Sequence, residues 1–266
     1  MSDERVVVLH GTNYWNMGDL GLMVAMIESL RREIDGAEIE ILSQFEDRPK
    51  AEGQQFDISD LDVSERPWIT LSTSDSRLVR AAHLAIQVVT NLVLLALVRI
   101  LGETLARRVP LLRRSAALSL ASADVIVSKP GGFIHGKYAV PGAYHLSEIL
   151  LATFAGPPVV IYAQSVGPFG RRSGVAIASR VLDRTRAVLV RDRPSLRTCL
   201  EELGLSEEKV RLTADEAFLL EAPPGRGDGP TTDRGNGGDA GPRVGVTVLN
   251  WQIGRASCRE RVYCEV

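Results

Sequence analysis

The sequence is poor in cysteine and in net charge, and each shortage excludes a class of protein. Its three cysteines, Cys199, Cys258 and Cys264, cannot form a disulfide framework, so we expect a reducing compartment. The 31 basic and 33 acidic residues leave a net charge of −2, which argues against a protein that coats nucleic acid and against an acidic solvating tail. Lysine occurs only at positions 50, 129, 137 and 209, and this bias towards arginine is typical of a GC-rich bacterial gene.

Several short motifs that mark metal, nucleotide or hydrolase sites are also absent. There is no C-x₂-C, no H-E-x-x-H and no cluster of histidines in the sequence, so no metal ion is expected. A G-x-S-x-G nucleophile elbow is missing, and the first predicted strand is not followed by G-x-G-x-x-G. We therefore expect no bound cofactor.

Targeting and membrane signals are weak. Residues 1–5 are charged and lead directly into a short apolar strand, so no signal peptide is expected and the protein is expected to be cytoplasmic. The longest apolar stretch, residues 84–101, falls short of a clean transmembrane span because Gln87, Thr90, Asn91 and Arg99 interrupt it. Two interpretations stay open: a helix that is buried or faces a partner, and a helix that contacts a membrane surface through arginines at its flanks.

Apolar runs of strand length alternate with stretches of helical periodicity over residues 5–220. Strands are predicted at 5–10, 38–42, 68–71, 124–128, 159–163, 187–190 and 210–213. Helices are predicted between them, including one at 77–108 that breaks near Gly102 and one at 143–154. This alternation predicts an α/β fold: a Rossmann-like open parallel sheet with helices on both faces. In such sheets ligands bind beyond the carboxyl ends of the strands.

The composition changes after residue 222, which predicts the end of an N-terminal Rossmann-like domain spanning 1–222. Residues 223–242 are rich in glycine and proline and predict a flexible linker. Residues 243–252 start a new strand pattern, as expected for the first strand of a second domain that is missing here. Residues 253–266 continue no periodicity and resemble read-through from an adapter or vector. We therefore expect a non-native tail and an inactive fragment.

The first of the loops that follow a strand joins the strand at 5–10 to the next helix. Asn16, Gly18 and Asp19 lie at the start of that helix, where backbone N–H groups make a ready anion site. Asp19 either caps the helix or binds a ligand, and the spacing does not decide between them.

A second loop contains Gly131 and Gly132. It fits the first seven positions of the phosphate-binding pattern G-x-x-x-x-G-K-[ST], but Tyr138 replaces the metal-binding hydroxyl. We interpret it instead as a glycine turn that lets backbone approach a ligand closely. His135, in the same loop, and His10, at the end of the first strand, are candidate acid–base groups.

Two further loops supply polar groups. Gln164 and Ser165 are followed by a tight turn at Gly167.

Arg191, Asp192 and Ser195 follow the strand at 187–190. Arg191 is the best anion clamp of the chain, although an ion pair with Asp192 or Asp215 would also explain it. Asp215 and Glu216 follow the last strand and are a candidate carboxylate pair for acid–base work.

Taken in order, these loops resemble the polysaccharide pyruvyl transferase family. The five matching segments, in chain order, are Asn16-Met17-Gly18-Asp19, the run 123–133 (ADVIVSKPGGF), 164–169 (QSVGPF), 190–195 (VRDRPS) and 214–218 (ADEAF). Each segment alone is a weak signal, whereas five in the same order over residues 6–220 are specific.

The resemblance implies two Rossmann-like domains facing a cleft, as in the GT-B glycosyltransferase architecture. It implies transfer of a pyruvyl group from phosphoenolpyruvate to hydroxyls of a cell-surface polysaccharide sugar, so the expected partners are this donor and a glycan or lipid-linked sugar acceptor. The donor carries two anionic groups, and the reaction needs an acid and a base. The candidate catalytic residues are Asp19, His135 and Asp215. The candidate binding residues are Asn16, Gly18, Gly131, Gly132, Gln164, Ser165, Gly167, Arg191, Asp192 and Ser195.

Two other functions stay open at this point. One is a GT-B glycosyltransferase that uses a nucleotide sugar, since a shared architecture does not fix the chemistry. The other is a non-catalytic module that docks to a membrane or a synthesis complex through residues 84–101.

Overall fold

The computed structural model describes residues 4–11, 16–44, 61–70, 72, 74–136 and 139–220. The chain divides into two units, Met1–Glu221 and Ala222–Val266, and only the first contains described residues. The predicted linker at 223–242, the strand at 243–252 and the tail at 253–266 therefore lie outside the described residues and stay predictions.

The described residues form one sheet in which every observed strand pairing is parallel. The strand order is β3-β2-β1-β4-β6-β7-β8, and β5 also pairs with β6. The predicted Rossmann-like open parallel sheet is confirmed. The strands are β1 (Arg5–Gly11), β2 (Glu38–Ser43), β3 (Ser64–Pro67), β4 (Val125–Ser128), β5 (Gly131–Ile134), β6 (Val159–Val166), β7 (Ala187–Val190) and β8 (Val210–Leu212).

Helices cover both faces of the sheet, because successive residues of a strand point to opposite sides. Val6 and Val8 of β1 pack in one apolar cluster with residues of α1, while Val7 and Leu9 belong to the cluster on the other face. The helices are α1 (Met17–Glu33), α2 (Arg77–Ala106), α3 (Pro110–Arg113), α4 (Ala116–Ala121), α5 (Ala139–Ala155), α6 (Arg172–Asp183) and α7 (Arg193–Arg197), followed by a π-helical turn at Thr198–Glu202 and a 3₁₀ turn at Glu216–Leu219.

Strands β4 and β5 lie one after the other on the same side of β6. Residues of β4 pair with the first part of β6 (Ile126 with Val159), and residues of β5 pair with its end (Ile134 with Val166). Lys129 and Pro130 separate the two strands, and Pro130 has no N–H group to donate to the sheet. The sequence predicted a turn at the glycine pair 131 and 132, and the structure corrects this to the strand β5, which resumes the pairing with β6.

Among the other elements, the largest differences from the predictions concern a strand and two helices. The third strand lies at Ser64–Pro67 instead of 68–71, because the apolar Trp68 and Ile69 are buried just beyond the strand. Helix α5 starts at Ala139, four residues earlier than predicted, with Pro141 in the first turn, where the missing N–H group costs nothing. The helix predicted over 195–203 is a short α7 followed by the π-helical turn.

Helix α2 carries the long apolar stretch and is long and apolar enough to cross a membrane by length and composition alone. The predicted break is present at Gly102, which has φ 72° and ψ 160°. Its inner side packs on the core, where the buried Asn91 accepts a hydrogen bond from Trp68 Nε1 at 2.8 Å. Its outer side leaves large apolar side chains exposed, so most of the stretch is not buried.

We expect the two sides of α2 to differ sharply in what they contribute to stability. Leu95 is 2% exposed and Leu97 is 39% exposed. Leu95→Ala should lower the free energy of unfolding by about 2–5 kcal/mol, because it leaves a cavity against the core. Leu97→Ala, the matched change two residues away, should lower it by less than about 1 kcal/mol. Urea unfolding followed by circular dichroism measures both, and equal losses would contradict this packing.

Candidate functional site

The loops singled out from the sequence meet at one edge of the sheet, because the carboxyl ends of parallel strands all lie on the same side. The strand order reverses between β1 and β4, and a crevice forms at such a switch point. The candidate residues divide into contacts near this switch point and contacts near the ends of β6 and β7.

At the switch point, Asn16 caps α1. Its Oδ1 accepts from the backbone N–H of Asp19 at 3.3 Å, and its Nδ2 donates to Asp19 Oδ2 at 2.9 Å. The cap of the helix is therefore Asn16, and the Asp19 carboxylate is turned towards Lys129, whose Nζ lies 3.9 Å from Oδ1. Gly18 lies in the first turn beside Asn16.

Lys129 occupies the position between β4 and β5 and is almost fully buried. Burial lowers the pKa of its amine, and the carboxylates of Asp19 and Glu148 oppose that shift. The ammonium also lies 5.4 Å from the centre of the Phe133 ring. This cation belongs to the segment 123–133 quoted above, but its role had no signal in the sequence.

The second set of contacts is an arginine group, formed by Arg191, Ser165, Asp192, Asp215 and Gly132. Arg191 Nε donates to Ser165 Oγ at 2.9 Å, and Nη1 donates to Asp215 Oδ2 at 2.7 Å. Ser165 Oγ donates in turn to Asp192 Oδ2 at 2.7 Å. A Cβ at Gly132 would lie 3.5 Å from Arg191 Nη2, so this glycine lies directly beside the guanidinium.

Asp192 is the N-cap of α7, since its Oδ1 accepts from the backbone N–H of Ser195 at 2.7 Å. Burial alone would raise the pKa of Asp192. Hydrogen bonds from Ser165 and Ser195 and the charge of Arg191 outweigh burial, so the pKa is lowered. The arginine group therefore contains two carboxylates and one guanidinium, held in place by a helix cap.

Three of the candidate binding residues support backbone in this structure. Ser195 Oγ accepts from the N–H of Val166 at 2.8 Å, and the buried Gln164 donates through Nε2 to the carbonyl of Lys129. Gly167 has φ 81°, and a Cβ there would lie 2.7 Å from Thr198 Cγ2. Together with Gly131, which pairs with Gln164, they fix the loops around the site.

Asp215 and Glu216 do not face the same place. Asp215 pairs with Arg191, the alternative noted from the sequence, and its Oδ1 also accepts from the N–H of Ala217 at 3.0 Å. Glu216 is buried and accepts from Tyr162 Oη and Ser29 Oγ, both at 2.9 Å. Glu216 thus ties the 3₁₀ turn to α1 and β6.

His135 lies at the end of β5 and is half-buried. The next residue, Gly136, donates its N–H to the Pro168 carbonyl at 2.9 Å, and a Cβ at Gly136 would lie 2.1 Å from Phe169 O. The close approach of these two loops fixes the position of His135 at the binding edge. Lys137 and Tyr138, which follow, lie outside the described residues.

A third set of contacts is a histidine group, formed by His10, Gln44, His145 and Glu148, of which only His10 was a candidate from the sequence. The Nδ1 atoms of His10 and His145 are 3.1 Å apart, and His10 Nδ1 also contacts Glu148 Oε2. Gln44 Nε2 lies 3.1 Å from His145 Nδ1 and 2.6 Å from Glu148 Oε2. The histidines are not clustered along the sequence, and they come together only in the folded chain.

The charges of the histidine group are controlled by burial. Burial lowers the pKa of His10 well below its ordinary value and lowers that of His145 to about 4, while burial raises the pKa of Glu148. Spacing rules missed the group because His10 and His145 are far apart in the chain. The available signal was local: His145 and Glu148 are three residues apart, on one side of α5.

A comparison with models of known families identifies one family for this chain. The model of the family described as polysaccharide pyruvyl transferase matches residues 16–256. The amylovoran biosynthesis protein AmsJ of Erwinia amylovora is 24% identical over 216 residues, which are 81% of this chain and 49% of that protein. The chain thus spans about half the length of this curated relative. A glycosyltransferase from Rickettsia africae ESF-5 superimposes with a TM-score of 0.43 at 10% identity, covering 80% of this chain and 43% of the other.

The ion pair between Arg191 and Asp215 predicts that Asp215 competes with an external anion for the guanidinium. Asp215→Asn removes the charge that Arg191 must give up to bind an external anion, so the dissociation constant for inorganic phosphate should fall about two- to tenfold. Isothermal titration measures it. Asp183→Asn, which alters an exposed carboxylate paired with Lys209, is the matched control and should leave phosphate binding unchanged. Weaker phosphate binding in a folded Asp215→Asn variant would contradict the competition.

Proposed function

The chain belongs to the polysaccharide pyruvyl transferase family, and we propose that it transfers a pyruvyl group from phosphoenolpyruvate to hydroxyls of a cell-surface polysaccharide sugar. The observation that carries the proposal is the arginine group at the binding edge, where the Arg191 guanidinium lies beside Gly132 and is held by Ser165 and Asp215. A guanidinium in this setting suits a donor that carries a carboxylate and a phosphate.

The chemistry sets the requirements of the site. Two sugar hydroxyls add to the central carbon of the donor, the bond from that carbon to the phosphate oxygen breaks, and the methylene becomes a methyl group. One hydroxyl proton ends on that methyl carbon and the other leaves with the phosphate, so the product is a ketal plus inorganic phosphate. The reaction needs an anion clamp, a base near the hydroxyls and an acid near the methylene.

Within the proposal, the arginine group holds one anionic end of the donor, with the backbone at Gly131 and Gly132 beside it. Asn16 and Asp19 lie across the switch point and are assigned to the sugar or to the other end of the donor. Asp19, His135 and Asp215 are the candidate acid and base. Of these, Asp19 lies nearest to a charged partner, with its Oδ1 3.9 Å from Nζ of the buried Lys129.

A glycosyltransferase that uses a nucleotide sugar is the competing enzyme. The two differ in the ligand that stabilises the fold: phosphoenolpyruvate for the first, a UDP-sugar for the second. Thermal unfolding of the chain with each compound separates them. A shift with the UDP-sugar alone would overturn the pyruvyl transfer proposal.

We expect Arg191→Ala to weaken phosphoenolpyruvate binding by about 10- to 100-fold, because it removes charge-assisted hydrogen bonds to the donor. Isothermal titration gives the dissociation constant without requiring turnover. Arg193→Ala is the matched control, since Arg193 is exposed and lies two residues away.

The control should bind phosphoenolpyruvate like the unaltered chain. Unchanged binding in a folded Arg191→Ala variant would remove Arg191 from the donor site. An equal loss in both variants would show that the effect is general electrostatic attraction.

We also propose that the outer side of α2 lies on an anionic membrane surface, which would bring the enzyme to lipid-linked acceptors. The exposed apolar side chains recur at helical spacing. Between residues 81 and 96, the exposed polar side chain on that side is Thr90. The side chains that form this apolar stripe are Val79, Ile86, Val89, Val93, Leu97 and Ile100.

Charge at the two ends of α2 favours lipid over a protein partner. Arg77 lies at the start of the helix, and Arg107 and Arg108 lie at its end, followed by the exposed Arg113 and Arg114. An apolar stripe between basic ends is the pattern of a helix that rests in the interface of an anionic bilayer.

Ile86→Asp should abolish co-sedimentation with vesicles of phosphatidylcholine and phosphatidylglycerol, because it places a charge in the apolar stripe. Ile177→Asp, a matched change at an exposed isoleucine of α6, should leave co-sedimentation unchanged. Chain that stays in the supernatant with such vesicles would overturn the membrane proposal. A dimer that only Ile86→Asp dissociates would show instead that a second copy covers α2.

A further inference from the structure

We propose that His10, His145 and Glu148 bind a divalent transition-metal ion of the zinc type at the carboxyl end of β1. The three side chains come from β1 and α5 and meet beside the switch point. The site is separate from the arginine group, and its test measures metal, so it does not depend on the proposed pyruvyl transfer.

The spacing of the donor atoms fits one ion. His10 Nδ1 and His145 Nδ1 are 3.1 Å apart, and Glu148 Oε2 is 3.6 Å from His145 Nδ1. Ligands about 2.0–2.1 Å from a tetrahedral zinc ion lie about 3.3–3.4 Å from one another. The two distances fall on either side of this value, and only the contact between His10 and Glu148 has to lengthen.

The orientation of the two imidazoles also points to an ion. Two neutral imidazole rings that face each other through Nδ1 can share no more than one proton, and the carboxylate oxygen at the same place brings further lone pairs. A cation is the one species that accepts lone pairs from all three atoms. Two imidazole nitrogens and one carboxylate oxygen form a common zinc donor set.

The burial of His10 and Glu148 also favours a bound cation. The side chains of His10 and Glu148 have no exposed surface, and Glu148 Oε1 has no hydrogen-bond partner among the described residues. A buried carboxylate is costly unless it is paired with a cation or protonated. Oε1 is free to join Oε2 in bidentate binding of an ion.

Two neighbours bear on the affinity of the site. Lys129 is the nearest competing cation, and Asp19 partly offsets its charge at 3.9 Å. Gln44 contacts both His145 and Glu148 and can present either its nitrogen or its oxygen to them, because the two ends of an amide are interchangeable in shape. Gln44 is therefore a supporting residue that orients the ligands, or itself supplies an oxygen.

Access to the site runs past His145, whose side chain is 14% exposed whereas those of His10 and Glu148 are not exposed at all. Three protein ligands leave one position of a tetrahedral ion open, which is the arrangement of ions that act on substrates. Its place beside Asp19 at the switch point makes a sugar hydroxyl or a donor oxygen the class of ligand for that position.

The test uses the full chain, stripped with a chelator and then titrated with Zn²⁺ in competition with a metal indicator. We expect about one ion per chain with a dissociation constant below about 1 µM, and a visible absorption band when Co²⁺ replaces Zn²⁺. His145→Gln should weaken binding by at least about 100-fold and abolish the band. His83→Gln, which alters a half-buried histidine of α2 outside the histidine group, should bind like the unaltered chain.

Circular dichroism establishes that each variant is folded. If His145→Gln does not fold, the unaltered chain decides alone: Zn²⁺ should raise its midpoint of thermal unfolding while Mg²⁺ should not. Uptake of less than about 0.1 ion per chain, or no difference between His145→Gln and the unaltered chain, would overturn the proposal. The four side chains would then form a hydrogen-bonded network without a metal.

Discussion

The binding edge of this sheet depends on a hydrogen bond that cannot form. Pro130 has no N–H group to donate. The pairing of β4 with β6 therefore stops at Ser128, and pairing with β6 resumes at Gly131, where β5 begins. At the interruption, the Lys129 N–H donates to the Leu9 carbonyl of β1 at 3.4 Å, while Gln164 donates to the Lys129 carbonyl. The ammonium can then lie among Asp19, Glu148 and Phe133 instead of alternating with its neighbours across the sheet. The contacts around the switch point follow from that local break.

The two ends of the binding edge solve the same electrostatic problem differently. The arginine group is half-exposed, so solvent screens its charges and Asp215 can release Arg191 to an incoming anion at modest cost. The histidine group is buried, and its charges are screened far less. The Arg191 guanidinium can therefore exchange one anion for another. The buried Lys129 ammonium, next to the histidine group, keeps the partners that it has in the fold.

The sequence predicted those features that depend on residues close together in the chain. Continuous apolar runs such as 6–9 identified buried parallel strands, and the rule that ligands bind beyond strand ends located Arg191, Asp19 and Gly132 at the binding edge. It failed where partners are distant. Asn91 looked like an interruption of an apolar helix, although Trp68 satisfies it in the core.

The histidine group was missed for the same reason. Its members come from β1, from the residue after β2 and from α5, and the side chains meet only after the sheet has formed. Asp19 is an intermediate case: the sequence left open whether Asp19 caps the helix or binds a ligand, and the structure shows that Asn16 is the cap.

The histidine group also constrains how relatives of this chain can diverge. Replacing one histidine by an apolar residue would leave Glu148 buried with fewer partners, at a cost of about 3–5 kcal/mol, a large share of the stability of a typical domain. Replacing Glu148 alone would strand two buried imidazoles. Substitutions at positions 10, 44, 145 and 148 should therefore occur together. A lineage should keep all four polar residues or replace all four by apolar ones. Such coupled inheritance would divide the family into two branches that differ at all four positions together.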